Sequence, residues 1–198
     1  MNRHCVVIGA GIIGASCAWY LQRKGMDVTL VDHEFPGQSC SFGNASCLST
    51  SSVIPFSYPG LIKKVPGWLL DPLGPMRIRP LDFPGLIPWF WHFWRVSNMQ
   101  KVEEIANAQA QLMRMVFTDF DEILDAVDGT HLKQSRGAIH IYDTEKQFQA
   151  DQWQADLRSR LGFRMQRLSQ TEMKTLVPCL KLEDGVALMM PDWHHLVD

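Results

Sequence analysis

The hydrophobic pattern of the first 32 residues predicts a strand, a helix and a second strand. Cys5–Ile8 is a short apolar run of the kind that forms a buried parallel strand. From Ile12 to Lys24 apolar residues recur at a helical period, and the following Gly25 is typical of a helix end. Val28–Val31 is a second apolar run. This order of elements predicts a parallel βαβ unit.

The pattern changes after residue 52. Residues 53–95 are rich in proline and show few helical periods, which predicts an extended excursion over the surface. The run "LIPWFWHFWR" at its end is interpreted as a helix whose aromatic side chains pack between domains. The alternative is an anchor at a membrane interface, where tryptophan is favoured.

The rest of the chain predicts a mixture of helices and strands. One continuous helix is predicted over 97–128, with an apolar face made of Val102, Ile105, Leu112, Val116, Ile123 and Val127. The further elements are strands over 137–142 and 185–190, a helix over 144–161 and a short helix after the capping box Ser169–Glu172. These elements are typical of an α+β domain.

Three glycines follow the first strand in the spacing G-x-G-x-x-G. Gly9 permits a tight turn, Gly11 lets a pyrophosphate approach the backbone, and Gly14 lets the helix pack closely on the sheet. The helix N-terminus directs N–H groups and the positive end of the dipole at a phosphate. Asp32 ends the second strand, where an acidic side chain accepts hydrogen bonds from a ribose. The sequence therefore predicts an adenine dinucleotide, and the carboxylate disfavours the 2′-phosphate of NADP.

Composition narrows the class of protein. The 198 residues carry a net charge of −2, so the chain lacks the excess of basic residues that binding to nucleic acid needs. The five cysteines form no C-x-x-C pair and no Cys/His metal spacing, which is typical of reduced cytoplasmic thiols. His194 and His195 are adjacent in a predicted strand and would face opposite sides, so no metal site is predicted. His140 is interpreted as an ordinary sheet residue.

Several stretches together resemble a known family. They are the βαβ unit, "SFGNASCLSTSSVIP", "PGWLLDPLGPMRIRP", "PWFWHFWR", "RGAIHIYDTEKQF" and "LMMPDWHHLVD". They are similar to the N-terminal half of the FAD-dependent D-amino acid oxidase/dehydrogenase superfamily, nearest to its bacterial D-amino acid dehydrogenase-like members. The resemblance implies an α/β fold with a Rossmann-type FAD-binding βαβ unit followed by part of an α+β substrate domain. The predicted divisions are 1–52, 53–95 and 96–198, and the chain is expected to be truncated.

The resemblance also implies the residues that bind FAD. The cofactor-binding residues implied are Gly9, Ala10, Gly11, Ile12 and Gly14 at the pyrophosphate, Asp32 and His33 at the ribose, and Ser41, Asn44 and Ala45 on the flavin side. Family members usually read Asn-Ala-Gly-Gln where this chain has Ser46 and Cys47 after Ala45. A Cβ at position 46 is expected to crowd backbone close to the flavin. No catalytic side chain is identified.

The activity implied is oxidation of the C–N bond of D-amino acids to imino and then oxo acids, with quinone or oxygen as the electron acceptor. The expected location is cytoplasmic, with peripheral contact to the inner membrane as the alternative. Two other functions stay open: a non-catalytic remnant that binds at most the ADP part of a dinucleotide, and a glycine or sarcosine oxidase-like enzyme. The uncharged loop 36–55 disfavours an NAD-dependent dehydrogenase.

Overall fold

The computed structural model describes residues 3–35, 38, 40–79, 81–180, 182 and 184–197. They form two compact units. The first unit comprises Met1–Leu48, Phe120–Gln134 and His195–Asp198, and the second unit comprises Ser49–Asp119 and Ser135–His194. Each unit is therefore built from separate stretches of chain. The domain divisions expected at residues 52 and 95 stay predictions.

Strands predominate near both ends of the described chain, and four consecutive helices lie between residues 61 and 126. In chain order they are β1 (His4–Ile8), α1 (Ile12–Arg23), β2 (Asp27–Val31), β3 (Cys47–Leu48), α2 (Leu61–Leu70), α3 (Phe83–Val96), α4 (Met99–Met113), α5 (Val116–Ala126), β4 (Lys133–Gln134), β5 (Ala138–Tyr142), α6 (Glu145–Arg160), β6 (Gln166–Leu168), α7 (Gln170–Leu176), β7 (Val186–Met190) and β8 (His194–Leu196). The predicted βαβ unit is present as β1, α1 and β2, with bounds within one residue of those expected.

The first unit is built around the βαβ unit. Strands β1 and β2 are parallel, with Ile8 opposite Val31, and the N–H of Gly9 continues the ladder by donating to the Val31 carbonyl at 2.7 Å. A short second sheet has the strand order β3, β8, β4. Within the described residues β1 and β2 pair only with each other, and the Ile8 side chain is 87% exposed. Apolar strand surface at the end of β1 is thus open to solvent.

The second unit has its main core between α4 and α6. The continuous helix predicted over 97–128 is wrong, because the chain turns at residues 114–115 between α4 and α5. Part of the predicted apolar face is also wrong, since Leu112 is 70% exposed. The buried stripe is instead Val102, Ala106 and Ala110, spaced four residues apart. Their small side chains allow close packing against Leu157 in α6.

An antiparallel sheet with the order β5, β7, β6 completes the second unit. Tyr142, Val186 and Leu188 form its buried face, and Phe148 of α6 packs on them. The capping box predicted at Ser169 is present, because its hydroxyl accepts from the Glu172 N–H while the Glu172 carboxylate accepts from the Ser169 N–H.

Two helices lie in the proline-rich segment, so the extended excursion predicted over 53–95 is wrong. Pro84 lies in the first turn of α3, where an N–H needs no partner. Pro66 and Pro88 lie inside α2 and α3, where each lacks the N–H that an intrahelical hydrogen bond needs. None of the residues of α3 is buried, and its tryptophans are each more than half exposed. Their rings contact one another, as in the stacked pair Trp89 and Phe93 at 5.1 Å, and the packing expected between domains stays a prediction. Of the helices in the described ranges, none combines the length and apolar character of a membrane span.

Candidate functional site

The glycine turn connects β1 to α1 and brings two backbone segments very close together. Gly9 has a φ of +105°, a left-handed conformation that favours glycine. A Cβ at Gly14 would lie 1.7 Å from the Gly9 carbonyl oxygen, so only glycine lets the helix approach the turn. The first turn of α1 presents backbone N–H groups that have no partner within the helix.

Asp32 lies at the end of β2 and faces this turn. Its Oδ2 accepts a hydrogen bond from the Ala10 N–H at 2.5 Å, and its Oδ1 accepts from the Glu34 N–H at 3.1 Å. These two N–H groups, in that order of strength, hold the pKa of Asp32 below its ordinary value of 3.8. The exposed ring of His33 lies beside it, with Nδ1 3.1 Å from Oδ1. Asp32 is therefore an ionised acceptor fixed against the glycine turn.

Ser41 reaches the N-terminus of α1 from the following loop. Its Oγ accepts a hydrogen bond from the Ile12 N–H at 2.8 Å. A Cβ at Gly11 would lie 2.9 Å from the same oxygen, so the missing side chain leaves room for the hydroxyl. Since the hydroxyl accepts from the helix, its own proton is available to donate to an anion. Ser41 thus lies directly beside the glycine turn.

The loop after Ser41 is ordered by Asn44. The Asn44 amide donates to the Ser41 carbonyl at 3.1 Å, and its oxygen accepts from the Ser46 N–H at 2.7 Å. Ser46 has a φ of +50°, in the left-handed region. The family resemblance leads us to expect glycine at this position, and the backbone has a conformation that favours glycine although a Cβ is present. The strain lies beside Ala45, on the side expected to face the flavin.

Two open cavities collect nearly all of the predicted cofactor-binding residues. The first, of about 540 Å³, is lined by Gly9, Gly11, Asp32, His33 and Ser41 among others. The second, of about 820 Å³, is lined by Ala10, Gly11, Ile12, Ser41, Asn44 and Ala45 together with their neighbours. Gly11 and Ser41 line both cavities. Gly14 lines neither and acts through packing instead.

Other residues of this region have no signal in the local sequence. Cys47 lines the second cavity, and its Sγ lies 3.3 Å from Nδ1 of His195, which is 148 residues away along the chain. Phe120 and Leu196 line the same cavity. The pairing of β3 with β8 brings Cys47 next to His195 and Leu196, and Phe120 comes from α5, so motif spacing cannot reveal these residues. His194 lies in the second unit, where its ring packs against Phe117.

The donor set fits an ADP-containing dinucleotide such as FAD. Asp32 is an ionised acceptor of the kind that binds ribose hydroxyls, and each of its oxygens has a further lone pair. The Gly11 position leaves open the space that a Cβ would fill, beside N–H groups suited to a pyrophosphate. The side chain at position 46 does not close the second cavity, which it lines.

Comparison with known proteins supports this fit. Residues 4–198 match the family model described as FAD-dependent oxidoreductase. The chain is 35% identical over 186 residues to a D-amino-acid oxidase of Bradyrhizobium diazoefficiens, covering 90% of this chain and 43% of that protein. It is 30% identical over 191 residues to D-amino acid dehydrogenase 2 of Ralstonia nicotianae, covering 94% and 45%. The chain thus spans less than half the length of these relatives.

A solved structure shows the same fold. Glycine oxidase from Bacillus cereus matches with a TM-score of 0.58 and 16% identity, covering 99% of this chain and 40% of that one. The likeness agrees with the Rossmann-type unit predicted from the glycine spacing. Because the family model covers nearly the whole chain, the chain belongs to the family of FAD-dependent oxidoreductases.

Proposed function

We propose that this chain supplies the ADP-binding part of an FAD-dependent enzyme that oxidises the C–N bond of D-amino acids. The single observation that carries the proposal is the ionised Asp32 fixed against the glycine turn by the Ala10 N–H. The names of the two relatives support the substrate class, since both act on D-amino acids by name.

Each part of the turn has its own task in binding. Asp32 accepts hydrogen bonds from the adenosine ribose through the lone pairs that Ala10 and Glu34 leave free. The N–H groups at the start of α1 bind the pyrophosphate. The Ser41 hydroxyl accepts a hydrogen bond from the Ile12 N–H and donates its own proton to the pyrophosphate. Asn44 keeps the following loop in shape, so that its backbone lines the second cavity.

When bound, FAD supplies the acceptor for the hydride of the substrate α-carbon, and the imino acid product hydrolyses to an oxo acid. The residues of this chain position the cofactor. Among its described residues we assign none to the substrate of this reaction. An electron acceptor that is quinone or oxygen and a cytoplasmic location are part of the proposal, and peripheral contact to the inner membrane is the alternative location.

Binding of ADP and FAD to the chain tests the nucleotide site. We expect Asp32→Ala to weaken ADP binding about tenfold, because a hydrogen bond to a charged group is lost. Asp27→Ala is the matched control, because Asp27 is an exposed carboxylate at the start of the same strand. Isothermal titration calorimetry measures both. Equal losses in the two variants, or tighter binding of NADP than of FAD, would show that the site is misassigned.

Turnover tests the reaction separately from binding. The chain is incubated with FAD, an artificial electron acceptor and a panel of D-amino acids, and glycine and sarcosine are assayed beside them as the alternative substrates. We expect D-amino acids to be the preferred substrates wherever turnover exceeds that of free flavin. Preference for glycine or sarcosine would favour the oxidase-like alternative. FAD binding without any turnover would favour the non-catalytic alternative for this chain.

A further inference from the structure

The second unit contains a cavity that the flavin site does not use. It has a volume of about 320 Å³ and is lined by Ser51, Ile139, His140, Arg158, Met190 and Trp193 among others. None of its lining residues lines either cavity beside the glycine turn. The walls combine one permanent positive charge and an indole ring with three apolar residues, Ala138, Ile139 and Met190.

Arg158 is a half-buried cation that forms no ion pair with the described residues, although the charge of Asp151 acts on it. Its Nε donates to the Ser51 carbonyl at 3.0 Å. Among the residues that the structure describes, no carboxylate oxygen lies within 4.0 Å of its guanidinium nitrogens. Desolvation lowers the pKa of Arg158, yet a guanidinium stays charged at neutral pH. The guanidinium has thus lost part of its hydration and gained one neutral acceptor. Its remaining N–H groups can donate to an anion.

The contacts around Ser51 hold the guanidinium in place. The Ser51 side chain is buried, and its hydroxyl accepts from the Trp193 indole N–H at 2.6 Å. Ser51 is therefore held through its hydroxyl by the indole and through its carbonyl by Arg158. An arginine whose Nε is already fixed loses little side-chain entropy when it binds a ligand. The site is thus preorganised around a fixed cation.

The titratable groups that line the cavity are His140 of β5 and Arg158 of α6, and Asp151 of the same helix acts on both through its charge. Desolvation first, and then the positive charge of Arg158, lower the pKa of His140, whereas Asp151 acts in the opposite direction. The positive charge of Arg158 therefore outweighs the negative charge of Asp151 at the position of His140. An anion entering the cavity is attracted by Arg158 and weakly repelled by Asp151.

We propose that this cavity binds a small carboxylate with an apolar substituent, held by the guanidinium of Arg158. The planar fork of a guanidinium matches a carboxylate in two parallel hydrogen bonds. Apolar contact for the substituent comes from Ala138 and Met190, which pair across β5 and β7 on the face that carries His140. This site goes beyond the proposed function, because it needs neither FAD nor any residue of the glycine turn.

NMR titration of the FAD-free 198-residue chain tests the proposal. Propionate and benzoate are the probes, and propionamide and inorganic phosphate are the comparisons. We expect the carboxylates to shift the Nε–H signal of Arg158 and the indole N–H signal of Trp193, and propionamide to shift neither. Arg158→Gln should weaken carboxylate binding about tenfold or more, as expected for a charged hydrogen-bonded pair.

Variants of the same helix provide the controls. Arg160→Gln removes an exposed arginine that pairs with Glu103, and it should leave binding unchanged. Asp151→Asn removes the opposing charge and should tighten binding. If Arg158→Gln does not fold, Arg158→Lys keeps the charge without the fork and should still weaken binding. Equal affinity in the Arg158 and Arg160 variants overturns the site, and phosphate binding as tightly as propionate overturns the ligand class.

Discussion

Replacing Gly14 with alanine tests whether the close approach of α1 to the glycine turn holds the first unit together. The new Cβ would lie 1.7 Å from the Gly9 carbonyl oxygen and 2.9 Å from its carbon. The first distance is half of the 3.4 Å at which ordinary contact begins. Since the obstructing atoms are backbone, no side-chain rotation relieves the clash, and either the turn or the helix must move.

The expected loss of stability follows from that movement. Overpacking that forces backbone shifts lowers the free energy of unfolding by about 1–3 kcal/mol. Because this clash is with backbone atoms at 1.7 Å, we expect a loss of about 3 kcal/mol. For a chain of this size, 1 kcal/mol lowers the melting temperature by roughly 2–4 °C, so a fall of about 6–12 °C is expected. Displacing Gly9 and Ala10 also disturbs the hydrogen bonds to Val31 and Asp32, so ADP binding should weaken as well.

Thermal unfolding followed by circular dichroism measures the effect. Gly67→Ala is the control, because Gly67 lies in α2 with nothing within 4 Å of its added Cβ. Alanine is a better helix former than glycine by about 1 kcal/mol, so this variant should melt at the same or a higher temperature. A Gly14→Ala chain that melts within about 2 °C of the wild type would refute the packing argument.

Four further predictions concern other residues. Ser46→Gly should raise the free energy of unfolding in urea by up to about 1 kcal/mol, because it relieves a left-handed φ; a loss would contradict this. Because the pKa of Asp32 is lowered in the folded chain, its carboxylate stabilises the fold above pH 3.8, and this stabilisation is lost as the pH falls below that value. The free energy of unfolding of Asp32→Asn should therefore fall less between pH 7 and pH 3 than that of the wild type. Arg158→Gln should raise the pKa of His140 in an NMR titration, since it removes a nearby positive charge. The exposed Ile8 predicts that the chain binds the dye ANS, and Ile8→Thr should reduce the dye fluorescence.

The elements that local rules describe could be predicted from the sequence. The βαβ unit follows from two apolar runs around a helical period, and the roles of Gly9 and Gly14 follow from the spacing of the turn. Ser169 caps a helix because its hydroxyl accepts from the Glu172 N–H and the Glu172 carboxylate accepts from the Ser169 N–H. In each case the interacting groups are neighbours along the chain, so their pattern alone specifies the geometry.

Contacts between distant residues were not predictable in this way. The hydrophobic period of 97–128 continues through the turn at residue 114, so periodicity does not reveal the break. Which apolar residues become buried depends on the facing helix: α6 favours the small Ala106 and Ala110 over the larger Leu112. Hydrophobic residues are interchangeable in a pattern, but packing distinguishes them by volume.

In the candidate site, too, local features were predictable from the sequence and contacts between distant residues were not. The sequence by itself determined the glycine turn and the acid after β2, since each depends on backbone conformation within one βαβ unit. Only the tertiary structure decided that Ser41 occupies the N-terminus of α1, and that Cys47 meets His195 across 148 residues. The physical reason is that loop conformation and strand pairing depend on the net balance of many weak contacts, which no short stretch of sequence contains.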